Sequence, residues 1–289
     1  MAGSLLLPIA CNAREGSAVA APTGDKQYEQ EVLKWRDNRR ARLTAEDGWL
    51  SVVGLSWLKP GANRVGSEAS SEVVLPKAPK YYGTINVAGT ELTFSDASGR
   101  SVALQSDADG AADPTTLSTG TLRMFVIKRG DRYGLRVKDS QSDARVHFHG
   151  LQYFPIDPKY RVVAKFEPYN PPKKIRIINV LGMQSDETSP GALSFALDGR
   201  TFRIDPVLET GEKDLFIILK DGTSGKETYG AARYMYGTSP GLDGKVVLDF
   251  NKLYNPPWAF TNYATCPLPP PQNRLSVRIA AGEKKYGDH

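Results

Sequence analysis

Residues 83–105 read G-T-I-N-V-A-G-T-E-L-T-F-S-D-A-S-G-R-S-V-A-L-Q, and their spacing decides the fold class. Short apolar runs at 83–87, 91–94 and 102–105 are separated by G-T and by S-D-A-S-G. Gly supplies turn conformations other residues resist, and Asp and Ser side chains bond the turn backbone, so the runs read as strands joined by tight hairpins. The same texture extends outward. Upstream, W-L-S-V-V-G-L-S-W-L at 49–58 reads as a strand ending at the turn Pro60-Gly61, and 73–75 is a further short run. Downstream, strands are expected at 122–128, 133–137 and 145–148, with R-G-D-R and K-D-S-Q-S-D between them. The second half continues with 160–167, 174–180, 191–197, 200–205, 215–220 and 245–249. No long helical pattern interrupts this series, which excludes a βαβ protein and implies an antiparallel sandwich or barrel.

One helix is expected before the strands. In D-K-Q-Y-E-Q-E-V-L-K-W-R-D-N-R-R-A-R-L, residues 25–43, Tyr28, Val32, Trp35, Arg39 and Leu43 recur every three or four positions and form one face. Asp25 is placed to cap its start, and the arginines of the last turn suit the helix dipole. At the other end, P-P-W-A-F and C-P-L-P-P-P are too proline-rich for a central strand. They read as an ordered loop laid over the fold, closed by 274–280 as a final strand. The fold class is therefore mainly β, in antiparallel sandwich-like or barrel-like sheets, with one N-terminal α-helix and a proline-rich C-terminal loop.

The chain has 289 residues, 40% hydrophobic and 24% charged, so it buries a sizeable core without staples. Its net charge of +5 is spread along the chain, and the run Arg36, Arg39, Arg40, Arg42 interleaves with the apolar face of a helix and reads as a solvated helix face. No nucleic-acid-reading motif is present, and none is expected to bind. The two cysteines, Cys11 and Cys266, make no disulfide framework.

Residues 4–10, S-L-L-L-P-I-A, precede Cys11 and resemble the lipobox of bacterial lipoproteins, in which the Cys is acylated. Residues 12–24 are small, polar and aperiodic, as a flexible tether should be. Residues 1–24 are thus expected to be an export signal and linker ending in a membrane tether at Cys11, with periplasmic or outer-membrane localisation. Residues 25–289 are expected to form one domain, with a possible sub-boundary near 110–120.

Three stretches together resemble one family: W-L-S-V-V-G-L-S-W-L-K-P-G at 49–61, D-G-T-S-G-K-E-T-Y-G-A-A-R-Y-M-Y at 221–236, and D-F-N-K-L-Y-N-P-P-W-A-F-T-N-Y-A-T-C-P-L-P-P-P-Q-N-R at 249–274, followed by A-G-E-K at 281–284. They are similar to the bacterial and archaeal family DUF1684, a domain of unknown function, over residues 28–286. In that family a Cys often stands where this chain has Trp258. The family carries no agreed activity, so the resemblance assigns none. A second likeness, in P-G-A-N-R-V-G-S, V-V-L-P and Y-Y-G-T-I, is to the spacing of forkhead-associated sandwiches at about 50–110, with Arg64 and Ser67 at positions that such modules use for phosphopeptides.

Candidate chemistry is sparse. His147 and His149 in H-F-H share one face of the expected strand, where a third ligand from Asp, Glu or Cys266 would complete a zinc site. D-G-T-S-G-K at 221–226 lacks the first Gly and the final Ser or Thr of a phosphate loop, and reads as a turn bonded by Asp221, Thr223 and Ser224. Ser56-Trp57-Leu58-Lys59 matches S-x-x-K but lies in a strand, which separates the two groups. Cys266 precedes a proline with no cationic neighbour in sequence and reads as buried and inert. No cofactor motif is complete, and no cofactor is expected.

Polar and aromatic residues concentrate around the C-terminal prolines: Tyr229, Arg233, Asp249, Asn251, Tyr254, Asn255, Trp258, Asn273, Arg274 and Glu283. Two readings stand. The Asn and Asp side chains cap turns while Arg233 pairs with a carboxylate; or Arg233 holds an anionic group of a small or extended ligand between Tyr254 and Trp258. The leading expectation is a ligand-binding envelope protein. The alternatives are a hydrolase using Asp249 and Glu283, or a metal at His147 and His149, and a structural envelope protein.

Overall fold

A computed structural model of the chain describes residues 23–109, 113–209 and 213–287. The expected signal and Cys11 lie outside the described residues.

The opening helix, α1, spans Thr23–Thr44, with Asp25 inside its first turn rather than at its cap. Its expected face is the buried one: Val32, Arg39 and Leu43 are buried. A single 3-10 turn, Trp49–Ser51, then leads into β1, Val52–Trp57. The strands β2 (Gly61–Gly66), β3 (Val73–Val74), β4 (Gly83–Ala88), β5 (Glu91–Asp96) and β6 (Ser101–Ala103) form a five-stranded sheet in the order β3-β2-β4-β5-β6. Next come β7 (Leu117–Thr119), β8 (Leu122–Arg129) and β9 (Arg132–Asp139), which join β1 in the order β1-β9-β8-β7. Val65, Ile85, Val87, Leu92 and Phe94 of the first sheet and Met124, Val126, Leu135 and Val137 of the second share one buried cluster, so the sheets pack face to face. Leu104 and Leu117 belong to that same cluster, so chain on both sides of 110–112 contributes to one core.

The second half begins with a correction. Residues 145–148 are not a strand: α2, Asp143–Val146, ends at His147, its C-cap. Arg145 is drawn into that turn by donating to the carbonyls of Thr44 and Ser140. The expected strands at 160–167 and 174–180 are one long element, β10 (Arg161–Ile178), paired with β11 (Gln184–Leu197) across a register shift between Pro168 and Lys173. With β12 (Arg200–Ile204) and β15 (Lys245–Asp249) they make the sheet β12-β11-β10-β15.

Between them lie β13 (Leu215–Leu219) and β14 (Arg233–Gly237), a two-stranded ribbon. The sequence L-F-I-I-L of β13 is apolar at every position because both its faces are covered. Leu215, Ile217 and Leu219 pack toward the four-stranded sheet, while Phe216 and Ile218 face a separate cluster containing Tyr234, Ala264 and Cys266. Among the described residues no sheet closes into a barrel.

The proline-rich loop is laid over the fold as expected, but its closing segment is not a strand. Residues 274–280 run as irregular chain alongside 220–222, bonded where Leu275 N donates to Lys220 O and Gly222 N to Val277 O. Leu275, Val277, Ile279 and Ala281 alternate into the core, so the strand-like pattern was real while a full ladder partner was missing.

Candidate functional site: a cleft roofed by the first helix

On β9, the residues facing the first core are Tyr133, Leu135 and Val137; Arg136 therefore points to the opposite side of the sheet. It is in register with Leu55 of β1 and Phe125 of β8. That outer face, the ribbon β13–β14, the C-terminal loop and α1 all contribute to the lining of one cleft. Thr261 Oγ1 donates to Val52 O, and Arg129 Nε donates to Thr265 Oγ1 at 3.0 Å, joining the two halves. Between them is a cleft of about 1170 Å³, of the size that organic ligands occupy. Trp35, Arg39 and Arg42 of α1 line it, with Trp49, Arg129 and Arg136 from the first half and Phe216, Tyr234, Tyr254 and Cys266 from the second.

The walls are rings in contact. Phe216 and Tyr234 stand edge to face at 5.0 Å, Tyr234 and Tyr254 do so at 5.8 Å, and Trp35 lies 6.4 Å from Tyr254. Burial raises the hydroxyl pKa values of Tyr234 and Tyr254, so both stay neutral.

The cations of the cleft differ in how they are matched. Arg39 is buried and pairs with Glu283 at 2.9 Å while its guanidinium lies over Tyr254. Arg129 pairs with Asp107 at 2.9 Å. Lys252 pairs with Asp249 at 3.2 Å. Arg42 sits at the solvent edge. Arg136 is 4% exposed, and its Nε and Nη2 have no hydrogen-bond partner among the described residues. Its guanidinium carbon lies 5.1 Å from the Trp49 ring and 6.0 Å from Phe125, contacts that are attractive but supply no acceptor. Burial lowers its pKa to about 10, so it remains charged at neutral pH. An uncompensated charge away from water is costly, and such groups are normally paired.

The residues singled out in the C-terminal block divide sharply. Tyr254 lines the cleft. Arg233 does not: it is 1% exposed, donates to Asp221 Oδ2 at 3.0 Å and Ile279 O at 3.0 Å, and also reaches Ala281 O. The expected turn forms beside it, with Thr223 N donating to Asp221 Oδ1 at 3.0 Å. The ligand-holding reading of Arg233 therefore gives way to the structural one, because every group it meets is protein. Glu283 is occupied by Arg39 and by Asn255 N at 2.7 Å. Asp249 accepts from Tyr28 Oη at 2.7 Å, and Asn251 bridges Tyr28 and Asp157. Asn273 ties Asp205 to Ile218. Tyr229 is buried, with burial raising its pKa, and Arg274 is exposed. Trp258 packs against the cluster of Tyr234 and Cys266, its backbone nitrogen 3.3 Å from Cys266 Sγ. Cys266 is buried, and burial pushes its thiol up to about 11.

His147 and His149 are exposed and lie beyond α2 rather than on a strand, so the alternation that aligned them is gone. Among the described residues no group of three or more His, Cys, Asp or Glu stands close enough to hold a metal. Ser56 and Lys59 are split as expected, Ser56 inside β1 and Lys59 past its end. Arg64 pairs with Glu68 at 2.9 Å.

Sequence reasoning missed Arg136, Trp35 and Trp49. Arg136 stands in R-Y-G-L-R-V, where an arginine opposite two core residues reads as a solvated strand face. What buries it is the second half of the chain, far away in sequence.

Fold and cleft define a mainly antiparallel β protein of two packed units with an arginine set in an aromatic-walled cleft between them. The chain belongs to the family described as a protein of unknown function, DUF1684, whose profile matches residues 146–284. That match takes in the two C-terminal stretches on which the resemblance rests and leaves 49–61 outside it. Among solved structures, the chain is similar to an uncharacterized protein of Haloarcula marismortui, determined by solution NMR, with 32% identity over 50% of this chain and 81% of that one and a TM-score of 0.42. No curated protein matches it.

Proposed function

We propose that this is a ligand-binding protein of the cell envelope, exported and tethered through Cys11, whose cleft takes a small organic anion at Arg136. The observation that carries the binding reading is the state of Arg136: buried, cationic, lining a large cleft, with Nε and Nη2 unsatisfied. These two atoms form one edge of the guanidinium, closed to water in this structure, and such an edge matches two oxygens of an anion. A purely structural arginine would be expected to resemble Arg233, whose donors reach a carboxylate and two carbonyls. Export and tether rest on the sequence alone, S-L-L-L-P-I-A before Cys11 and the polar stretch after it. The hydrolase alternative has less support, since Asp249 and Glu283 are both committed to other side chains.

The test is Arg136→Met. Removing an unmatched buried charge leaves the ligand-free protein as stable as the wild type or more so, a trade of stability for function. Native mass spectrometry of protein purified from its own envelope then shows a non-covalent mass on the wild type and none on the variant. A marked fall in melting temperature, with no bound mass on either protein, overturns the reading.

A further inference from the structure

Resting on the reading of the cleft as a ligand site, we infer that its ligand is an aromatic monocarboxylate: one carboxylate paired with the buried Arg136 guanidinium, joined to a flat ring body held among the cleft rings. The count of charge sets the headgroup. Arg39 and Arg129 are each matched by a carboxylate of the protein, Glu283 and Asp107. The neighbouring thiol, Cys266, is pushed up to about 11 and supplies no counter-charge at neutral pH. One buried positive charge is therefore left over. It balances one negative charge. A phosphate monoester, near −2 at neutral pH, would bring a second negative charge to a lining that already carries Asp47, Glu209 and Asp214 beside the exposed Arg42.

The body of the ligand is set by the walls. Trp49 stands beside the guanidinium at 5.1 Å, and Tyr234, Tyr254 and Phe216 continue the surface as rings in mutual contact. Rings prefer offset or edge-to-face partners at 4.5–7 Å, and a planar guest gains from each such face. Two aromatic side chains, Trp35 and Trp49, come from α1 and the turn after it, so the planar body would contact both halves of the chain and the helix above them. A bare small anion such as acetate would satisfy the edge but leave most of the 1170 Å³ to water.

Isothermal titration calorimetry with the full-length protein and four probes tests this: 2-naphthoate, the neutral 2-naphthalenemethanol, 2-naphthyl phosphate and acetate. Expected is saturable binding of 2-naphthoate, weaker by at least about tenfold for each of the other three, the loss appropriate to a missing charge-assisted hydrogen-bond pair. Arg136→Met abolishes the binding. Arg136→Lys, which keeps the charge without the fork, weakens it by at least about tenfold and guards against a misfolded first variant. If acetate or 2-naphthyl phosphate binds as tightly as 2-naphthoate and in the same Arg136-dependent manner, the aromatic monocarboxylate is wrong while the anion cleft stands. If no probe binds in a way that Arg136→Lys alters, both fall.

Discussion

Arg233 and Asp221 form a buried ion pair, their side chains 1% and 0% exposed and 3.0 Å apart, in which the same Asp221 Oδ2 also accepts from Ile279 N at 2.9 Å. The pair joins β14, the D-G-T-S-G-K turn and the C-terminal loop, three segments with no common ladder. Burial pulls the arginine below its usual pKa, and Asp221 opposes that pull. Removing one partner strands the other without water. Arg233→Met is expected to cost about 3–5 kcal/mol in urea unfolding, without changing ligand affinity at the cleft in whatever folded fraction remains. Arg233→Met combined with Asp221→Leu should recover part of the loss, because no charge is then left unmatched.

A second pair fixes the helix. Arg39 Nε donates to Glu283 Oε1 at 2.9 Å, and its Nη2 to Asn255 O at 3.0 Å, holding α1 against the C-terminal loop. Elsewhere the helix is held by Tyr28 on Asp249 and by Arg36 donating to Phe154 O. Glu283→Gln keeps the shape and removes the charge. The expected result is faster amide exchange along 23–44 and a loss of about 3 kcal/mol. Uniform exchange across the chain, with α1 no faster than β8, would show that the helix is not anchored there.

Much of this architecture was legible. The strands of residues 83–105 followed from local chemistry, because hairpins are decided by their own turns. The amphipathic face of α1 was equally local, but Arg39, read with Arg36, Arg40 and Arg42 as solvated, is buried against Glu283. What could not be read depends on distant segments. Residues 274–280 alternate like a strand, but what they lie beside is 220–222, which offers only scattered bonds. Arg233 and Arg136 look alike in sequence, each set among apolar residues on a strand. Only the tertiary partner separates them: Asp221 stands beside the first and, among the described residues, no acceptor bonds Nε and Nη2 of the second. The loss of the His147 strand has the same origin, since Arg145 is held by carbonyls of Thr44 and Ser140.

The resemblance-bearing motif A-G-E-K contains a backbone requirement. Gly282 has φ +76°, and a Cβ there would come within 2.6 Å of Leu253 Cβ and closer still to the Leu253 carbonyl oxygen. Backbone cannot swing aside as a side chain can, and Glu283 N already donates to that carbonyl. Gly282→Ala is expected to lose about 3 kcal/mol, from left-handed strain and overlap together. Gly89 provides the comparison: its φ is +63° with nothing within 4 Å of the Cβ position. Gly89→Ala should cost only the conformational part, about 1 kcal/mol. Chemical denaturation of the two variants separates strain from collision, and equal losses would show that the approach to Leu253 contributes nothing.

Cys266 tests the dryness of the cleft floor. Burial pushes its thiol up to about 11 from an ordinary 9.0, against the opposing effect of the Trp258 N–H that it accepts. At pH 8 about a thousandth of it is thiolate, the reactive form. Reaction with a disulfide reagent at pH 8 should therefore be slow in the folded protein and fast in urea. The folded pKa lies above the unfolded one, so the thiol's contribution to stability is complete below pH 9 and is lost as pH rises from there toward about 11. Cys266→Ala removes that slope, and its melting temperature should fall less steeply than the wild type's over the same window. Parallel curves for the two proteins, or rapid native-state labelling at pH 8, would mean that water reaches the sulfur, and a wet floor would in turn weaken the case for a desolvated charge at Arg136 beside it.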